Sequence, residues 1–277
     1  MSLNIWKNLE LMVFTLWDIH HIIRSFEFKK NYNIPDETGK SLVILGNGKS
    51  LNNIKLDQNG ERDFMVVNGH VLHPSYSEIR PKFYCLIDAV YFAKEKGENF
   101  ETLRKINEET TWDMYLFIPY YNLKETRSCI NNPCIKIITF SPMKFRGFKN
   151  LKNWIYRKGL AMPEVHNIIT VCIMQALQMR YSLIELYGVE HNWTKFLFVG
   201  DDNYVYLEDA HFYDSQKINA TPYMYMGEHI TMYQALNWYS LMFKSYLEIA
   251  EYVKDCNIPV RIINKAKGSF IDAFERG

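Results

Sequence analysis

A chain of 277 residues that is 48% hydrophobic and 15% aromatic can bury a full core, which excludes intrinsic disorder over most of its length. Its 32 Lys and Arg balance 31 Asp and Glu, which argues against a nucleic-acid binder held by bulk positive charge. Its five cysteines (Cys85, Cys129, Cys134, Cys172, Cys256) are irregularly spaced and read as reduced thiols of a cytosolic protein, with no zinc site; no apolar run is long enough for a membrane span, and no signal-peptide pattern opens the chain.

Residues 1–30 place Ile5, Trp6, Leu9, Met12, Val13, Leu16, Trp17, Ile19, Ile22, Ile23 and Phe26 at helical spacing, with Lys7, Glu10, Asp18 and Arg24 between them. This predicts a helix that either docks on the main domain or lies on a membrane surface. Residues 31–40, with Pro35 and Gly39, read as a linker, so residues 1–38 form an appendage and residues 39–277 one domain.

Ser41–Leu45 is a short, almost continuously apolar run suited to a buried strand of a parallel sheet. It ends in Gly46-Asn47-Gly48, followed by Ser50 as a cap. The spacing is neither a Walker A loop nor the three-glycine dinucleotide fingerprint. It is either a plain glycine turn or a loop whose free backbone N–H groups hold a phosphate. Asp63–Asn68 and Lys82–Asp88 read as the next two strands. Three successive strands thus end in Asn47, Asn68 and Asp88, and polar strand ends of an open α/β sheet converge on one crevice.

Residues 89–107 predict a helix, Met114–Ile118 and Lys136–Phe140 two more strands. Residues 143–163 interleave Lys144, Arg146, Lys149, Lys152, Arg157 and Lys158 with Phe145, Phe148, Trp154 and Tyr156, a pattern that suits a lid (residues 141–165), an acceptor surface, a contact with acidic lipid or a solvated loop. A helix from Asn167 to Met179, capped by Asn167 or Thr170, leads to strand Leu183–Tyr187, and Gly188-Val189-Glu190-His191 follows. Gly200-Asp201-Asp202-Asn203 fits a hairpin turn between aromatic strands, or a carboxylate pair for Mg²⁺. Tyr223–His229 leads into a helix from Ile230 to Cys256, then strand Ile258–Ile263 and a short closing helix, Gly268–Phe274. The class is α/β, with an open, mainly parallel sheet flanked by helices.

In this order the chain resembles the bacterial sialyltransferases that decorate lipooligosaccharides. The resemblance runs over roughly residues 41–275 and rests on Gly46-Asn47-Gly48-Lys49-Ser50-Leu51, Asn68-Gly69-His70, Asp88, Ile169-Thr170-Val171, Gly188-Val189-Glu190 and Met224-Tyr225-Met226-Gly227-Glu228-His229. It implies a Rossmann-like domain with a small lid and transfer of a sugar from a nucleotide to a surface glycan. Gly46, Asn47, Gly48, Ser50, Asn68, Asp88, Thr170 and Tyr225 would hold the nucleotide sugar. His229, His191 or Glu190 would take the acceptor proton, without a metal or separate cofactor. Met224 and Asn167 stand where the family keeps a His and an Arg, and Asp88 where it keeps an Asn, so a UDP-sugar is as much expected as a CMP-linked one. The acceptor would be an oligosaccharide or lipid-linked glycan, met in the cytoplasm or at the inner face of the plasma membrane, by a monomer or an oligomer. Two rival readings remain: a pterin pyrophosphokinase-like enzyme, which shares a similar glycine loop, and a non-catalytic membrane-docking subunit.

Overall fold

The computed structural model describes residues 2–24, 33–53, 61–92, 98–208, 220–225 and 227–277. The central sheet contains β1 (Ser41–Leu45), β2 (Arg62–Val67), β3 (Phe83–Cys85), β4 (Met114–Pro119), β5 (Ile135–Phe140), β6 (Leu183–Tyr187), β12 (Arg261–Asn264) and β13 (Glu275–Arg276). All eight are parallel, in the order β13-β12-β6-β1-β2-β3-β4-β5. The order reverses between β1 and β6, the switch point beyond which an open α/β sheet leaves its crevice. The smaller sheets are antiparallel: β7 (Leu197–Val199), β8 (Val205–Leu207) and β9 (Thr221–Pro222) form one, and β10 (Met224–Tyr225) with β11 (Glu228–His229) the other.

The near-continuous apolar strands follow from burial on both faces. Along β1, Leu42 and Ile44 enter one core cluster, while Val43 and Leu45 enter the other. The first cluster takes in α5 (Lys149–Arg157), α6 (Ile168–Gln178) and α7 (Met232–Asp255) through Ile155, Ile169, Val171, Met242 and Tyr246. The second takes in α2 (Ser75–Ile79) and α3 (Glu98–Glu109) through Tyr76, Leu103 and Ile106. A short α4 (Leu123–Cys129) joins β4 to β5, and α1 (Ser2–Arg24) lies at the N-terminus. Cys85 and Cys172 are buried in the first cluster, and all five thiols are free.

Four expectations shift. The helix expected over 89–107 is a 3₁₀ turn at Ala89–Tyr91 and then α3. Strand Lys82–Asp88 keeps ladder pairing only over Phe83–Cys85. The closing helix at Gly268–Phe274 does not form; Asn264 and Ser269 bond each other there at 2.9 Å, and the Ile271 N–H donates to Ser269 Oγ, giving a tight loop that feeds β13. The segment expected to be a lid is anchored, because Phe145, Ile155, Tyr156, Leu160 and Met162 are all in the core. Gly200–Asn203 does form the turn between β7 and β8, where Asp202 accepts from the Tyr206 hydroxyl at 2.7 Å.

Candidate functional site

The loops after β1 and β6 meet at the switch point and are stitched together. The Gly46 N–H donates to Tyr187 O at 2.8 Å, and the Gly48 N–H to Gly188 O at 2.9 Å. A Cβ on Gly46 would lie 2.3 Å from Gly188 O, and Gly188 itself sits at φ +65, so neither position accepts another residue without strain. Glu190 then reaches back, and its Oε1 accepts from the Ser50 N–H at 3.0 Å. Three N–H groups of the expected phosphate cradle, those of Gly46, Gly48 and Ser50, are thus already bonded within the chain. Ser50 lies outside the cavities below, with Oγ buried and unpartnered.

Three adjoining cavities open beyond the carboxyl ends of the strands. The first, about 220 Å³, is lined by Gly46, Asn47, Gly48, Asn68, Glu190 and His191, with Lys49 at its edge. Asn47 Nδ2 donates to Val67 O at 3.4 Å, but the side-chain oxygens of Asn47 and Asn68 are buried with no hydrogen-bond partner. Buried acceptors left unpaired cost about 1–3 kcal/mol each; both oxygens are closed to solvent, so a ligand's donors meet them only when the side chains turn toward the cavity. Asn68 stands at φ +52, a left-handed conformation that asparagine tolerates. The second cavity, about 620 Å³, is aromatic: Trp193, Tyr223, Tyr225, Trp238 and Tyr239 surround it. The third, about 630 Å³, holds Asp88, Tyr121, Lys144, Glu164 and His166. Burial lifts the Asp88 carboxyl above the ordinary carboxylate range.

Asn167 borders all three cavities. It is also the N-cap of α6, its Oδ1 accepting from the Ile169 N–H at 2.8 Å. The N-terminus of α6 therefore faces the first cavity through Ile168 and Ile169, and its partial positive charge favours an anion there. Thr170, expected to bind ligand, instead sits one turn inside α6, fully buried, 2.8 Å from the Ser245 hydroxyl. It points into the α6–α7 contact because the helix begins at Ile168, after the Asn167 cap, and turns Thr170 to the core side.

Of the three groups expected to take a proton, none stands free in the first cavity. His229 is exposed on the β10–β11 hairpin, its ring stacked on Tyr204 at 3.6 Å, and lines none of the three cavities; α7 begins at Met232, capped by Thr231, so His229 is not at its N-terminus. His191 lines the first cavity but is buried, stacked on Trp193 at 4.6 Å, with Nδ1 3.1 Å from the Tyr246 hydroxyl. Burial pushes its imidazole down to about 3, so it is neutral at any working pH. Glu190 is engaged with Ser50. Tyr225 lines the second cavity, not the first, and Arg146 is committed to Asp18 of α1.

No sequence pattern singles out His166. Its ring lies between the second and third cavities, beside Asn167, with Nε2 3.7 Å from Glu164 Oε1. Partial burial holds its pKa below the ordinary value, opposed by the Glu164 carboxylate and assisted by the Lys144 ammonium. A lone His in a loop carries no spacing signal; only its place between two cavities distinguishes it. Lys144, paired with Glu164 at 2.5 Å, also lines the third cavity. No group of three or more His, Cys, Asp or Glu able to hold a metal occurs among the described residues. No family model matches the chain, and no curated protein matches it.

Proposed function

We propose that the chain is a glycosyltransferase that moves a sugar from a nucleotide to a glycan acceptor. The observation that carries this reading is a small cavity whose lining includes two asparagines with unpaired amide oxygens, adjoining a larger aromatic one across Asn167. In the first cavity Asn47 and Asn68 accept from the donor groups of the base or ribose. Glu190, whose Oε1 is held by the Ser50 N–H, accepts from ribose hydroxyls through Oε2, as acidic groups beyond a strand end do in nucleotide-binding sheets. Lys49 and the α6 N-terminus offset the phosphate charge, taking over what the bonded glycine loop does not supply. The aromatic cavity suits the apolar faces of sugar rings, with Tyr hydroxyls available for orientation.

His166 is the proton acceptor in this reading. The acceptor hydroxyl oxygen attacks the anomeric carbon, its proton passes to the imidazole, and the bond from that carbon to the phosphate oxygen breaks with its electron pair leaving on the phosphate. A base works best with a pKa near the operating pH, which disfavours His191 at about 3; His166 is chosen for its place between the aromatic and third cavities, beside the Glu164 carboxylate. The Asp88 carboxyl, in the same cavity as His166, is a second titratable partner for substrate.

The test uses the full chain with a panel of CMP- and UDP-linked sugars and a glycan acceptor, reading thermal stabilisation and nucleotide release. His166→Ala is expected to lower turnover by about two to four orders of magnitude while keeping the donor-induced rise in Tm. Asn47→Ala and Asn68→Ala are expected to lose that rise. Absence of stabilisation by every nucleotide sugar would refute the reading. Full turnover in His166→Ala would reassign the base.

A further inference from the structure

Helix α1 is held to the domain by its polar side. Asp18, only 3% exposed, accepts from Arg146 Nη2 at 2.7 Å, from Arg146 Nε at 3.2 Å and from the Arg146 backbone N–H at 2.7 Å. The Phe148 N–H reaches Thr15 Oγ1 at 3.3 Å, and Ile22 is buried in the first core cluster. At about 100° per residue, Thr15, Asp18 and Ile22 fall within an arc of roughly 60°.

The opposite side is apolar and open. Trp6 is 70% exposed, Leu16 64%, Trp17 60% and Val13 55%, with Ile5, Leu9, Met12 and Ile23 also exposed. These eight fill an arc of roughly 140° centred almost opposite the docked one, along about 27 Å of helix. Over residues 5–24 only His20 and Arg24 interrupt the arc, and the acidic residues Glu10 and Asp18 fall outside it. A surface helix ordinarily turns its apolar stripe to the core; here the stripe faces away from it.

We propose that this face lies in the plane of an anionic bilayer, at the boundary between headgroups and acyl chains. The charge around it selects the occupant. Arg24 sits within the arc and no carboxylate does, Glu10 lying just beyond its edge. A cation within a Trp-bearing apolar strip matches a negatively charged lipid surface. A second copy of the chain would bring two such strips together with no carboxylate in the arc to pair Arg24. No helix among the described residues is long and apolar enough to cross a membrane, so the contact is in-plane. The inference does not depend on sugar transfer; it concerns where the domain is held.

The experiment is co-sedimentation of the full chain with vesicles of phosphatidylcholine alone and with one part in four of phosphatidylglycerol, at low and raised salt. The wild type is expected to bind the anionic vesicles, with a blue shift in Trp emission and weaker binding in salt. Leu9→Glu/Leu16→Glu, placed on the open arc, is expected to cut the bound fraction at least about tenfold, with circular dichroism unchanged. Trp6→Ser/Trp17→Ser provides a second variant if the first misfolds. Failure of the wild type to bind either vesicle overturns the proposal, as does binding that both double variants retain. A concentration-dependent dimer that the same variants dissolve, without vesicle binding, assigns the face to a second copy instead.

Discussion

Gly48→Ala tests the junction of the β1 and β6 loops directly. A Cβ at position 48 would lie 1.4 Å from Glu190 Oε2 and 2.7 Å from Gly188 O. The carboxylate must therefore swing away, which breaks its 3.0 Å bond to the Ser50 N–H. A hydrogen bond to a charged group contributes about 1.5–3 kcal/mol, and partial solvent access at Glu190 places this one near the lower end. The backbone contact with Gly188 O adds the overpacking penalty, about 1–3 kcal/mol. Gly48→Ala should thus destabilise by about 2–4 kcal/mol and Glu190→Ala by about 1–2 kcal/mol. The double variant loses the Ser50 bond only once, so its cost should fall short of the sum by about 1–2 kcal/mol. Denaturant unfolding followed by Trp fluorescence reads all three, since the chain has six Trp. Additivity within about 0.5 kcal/mol would mean that Glu190 does not occupy the space above Gly48, and the geometry of the first cavity would be wrong.

Two further outcomes follow from buried charge. Burial holds the imidazoles of His70 and His191 down to about 3, well below their ordinary value; the unfolded chain protonates them near pH 6.5 while the native state does not. Stability contributed by these two is fully present above that pH and is lost as pH falls toward 3, with a slope of up to about 3 kcal/mol per pH unit, opposed by the raised Asp88 carboxyl. Urea midpoints at successive pH values check it, and His191→Phe should flatten the slope by about half; an unchanged slope would place the ring in water. Arg146→Ala leaves the Asp18 carboxylate buried with one remaining donor, the backbone N–H, and should cost about 3 kcal/mol, whereas Asp18→Ala should cost less because the partly exposed Arg146 can return to solvent. Equal costs in thermal or denaturant melts would contradict the asymmetry.

Local pattern in the sequence determined the architecture. The apolar runs at 41–45, 114–118, 136–140 and 183–187 are continuous because helices cover both faces of the sheet, and each is a strand of the parallel core. Of the polar strand ends Asn47, Asn68 and Asp88, the first two line one cavity at the switch point, while Asp88 lines the third cavity with Asn68. The turn at Gly200–Asn203 was equally legible, since its chemistry is contained in four residues.

Tertiary structure alone decided what depends on pairing between distant segments. Whether the glycine loop's N–H groups are free depends on carbonyls and a carboxylate some 140 residues away, and Gly188 and Glu190 take them. Which of eight histidines meets a cavity depends on packing rather than spacing, so His229 falls on an exposed hairpin and His166 between two cavities. The helical periodicity of residues 5–23 fixes a stripe but not its direction. The direction is set by Arg146, which binds Asp18 across 128 positions of sequence and turns the apolar stripe outward. Periodicity is a property of neighbours along the chain; the ion pair that orients the helix exists only once the domain has folded.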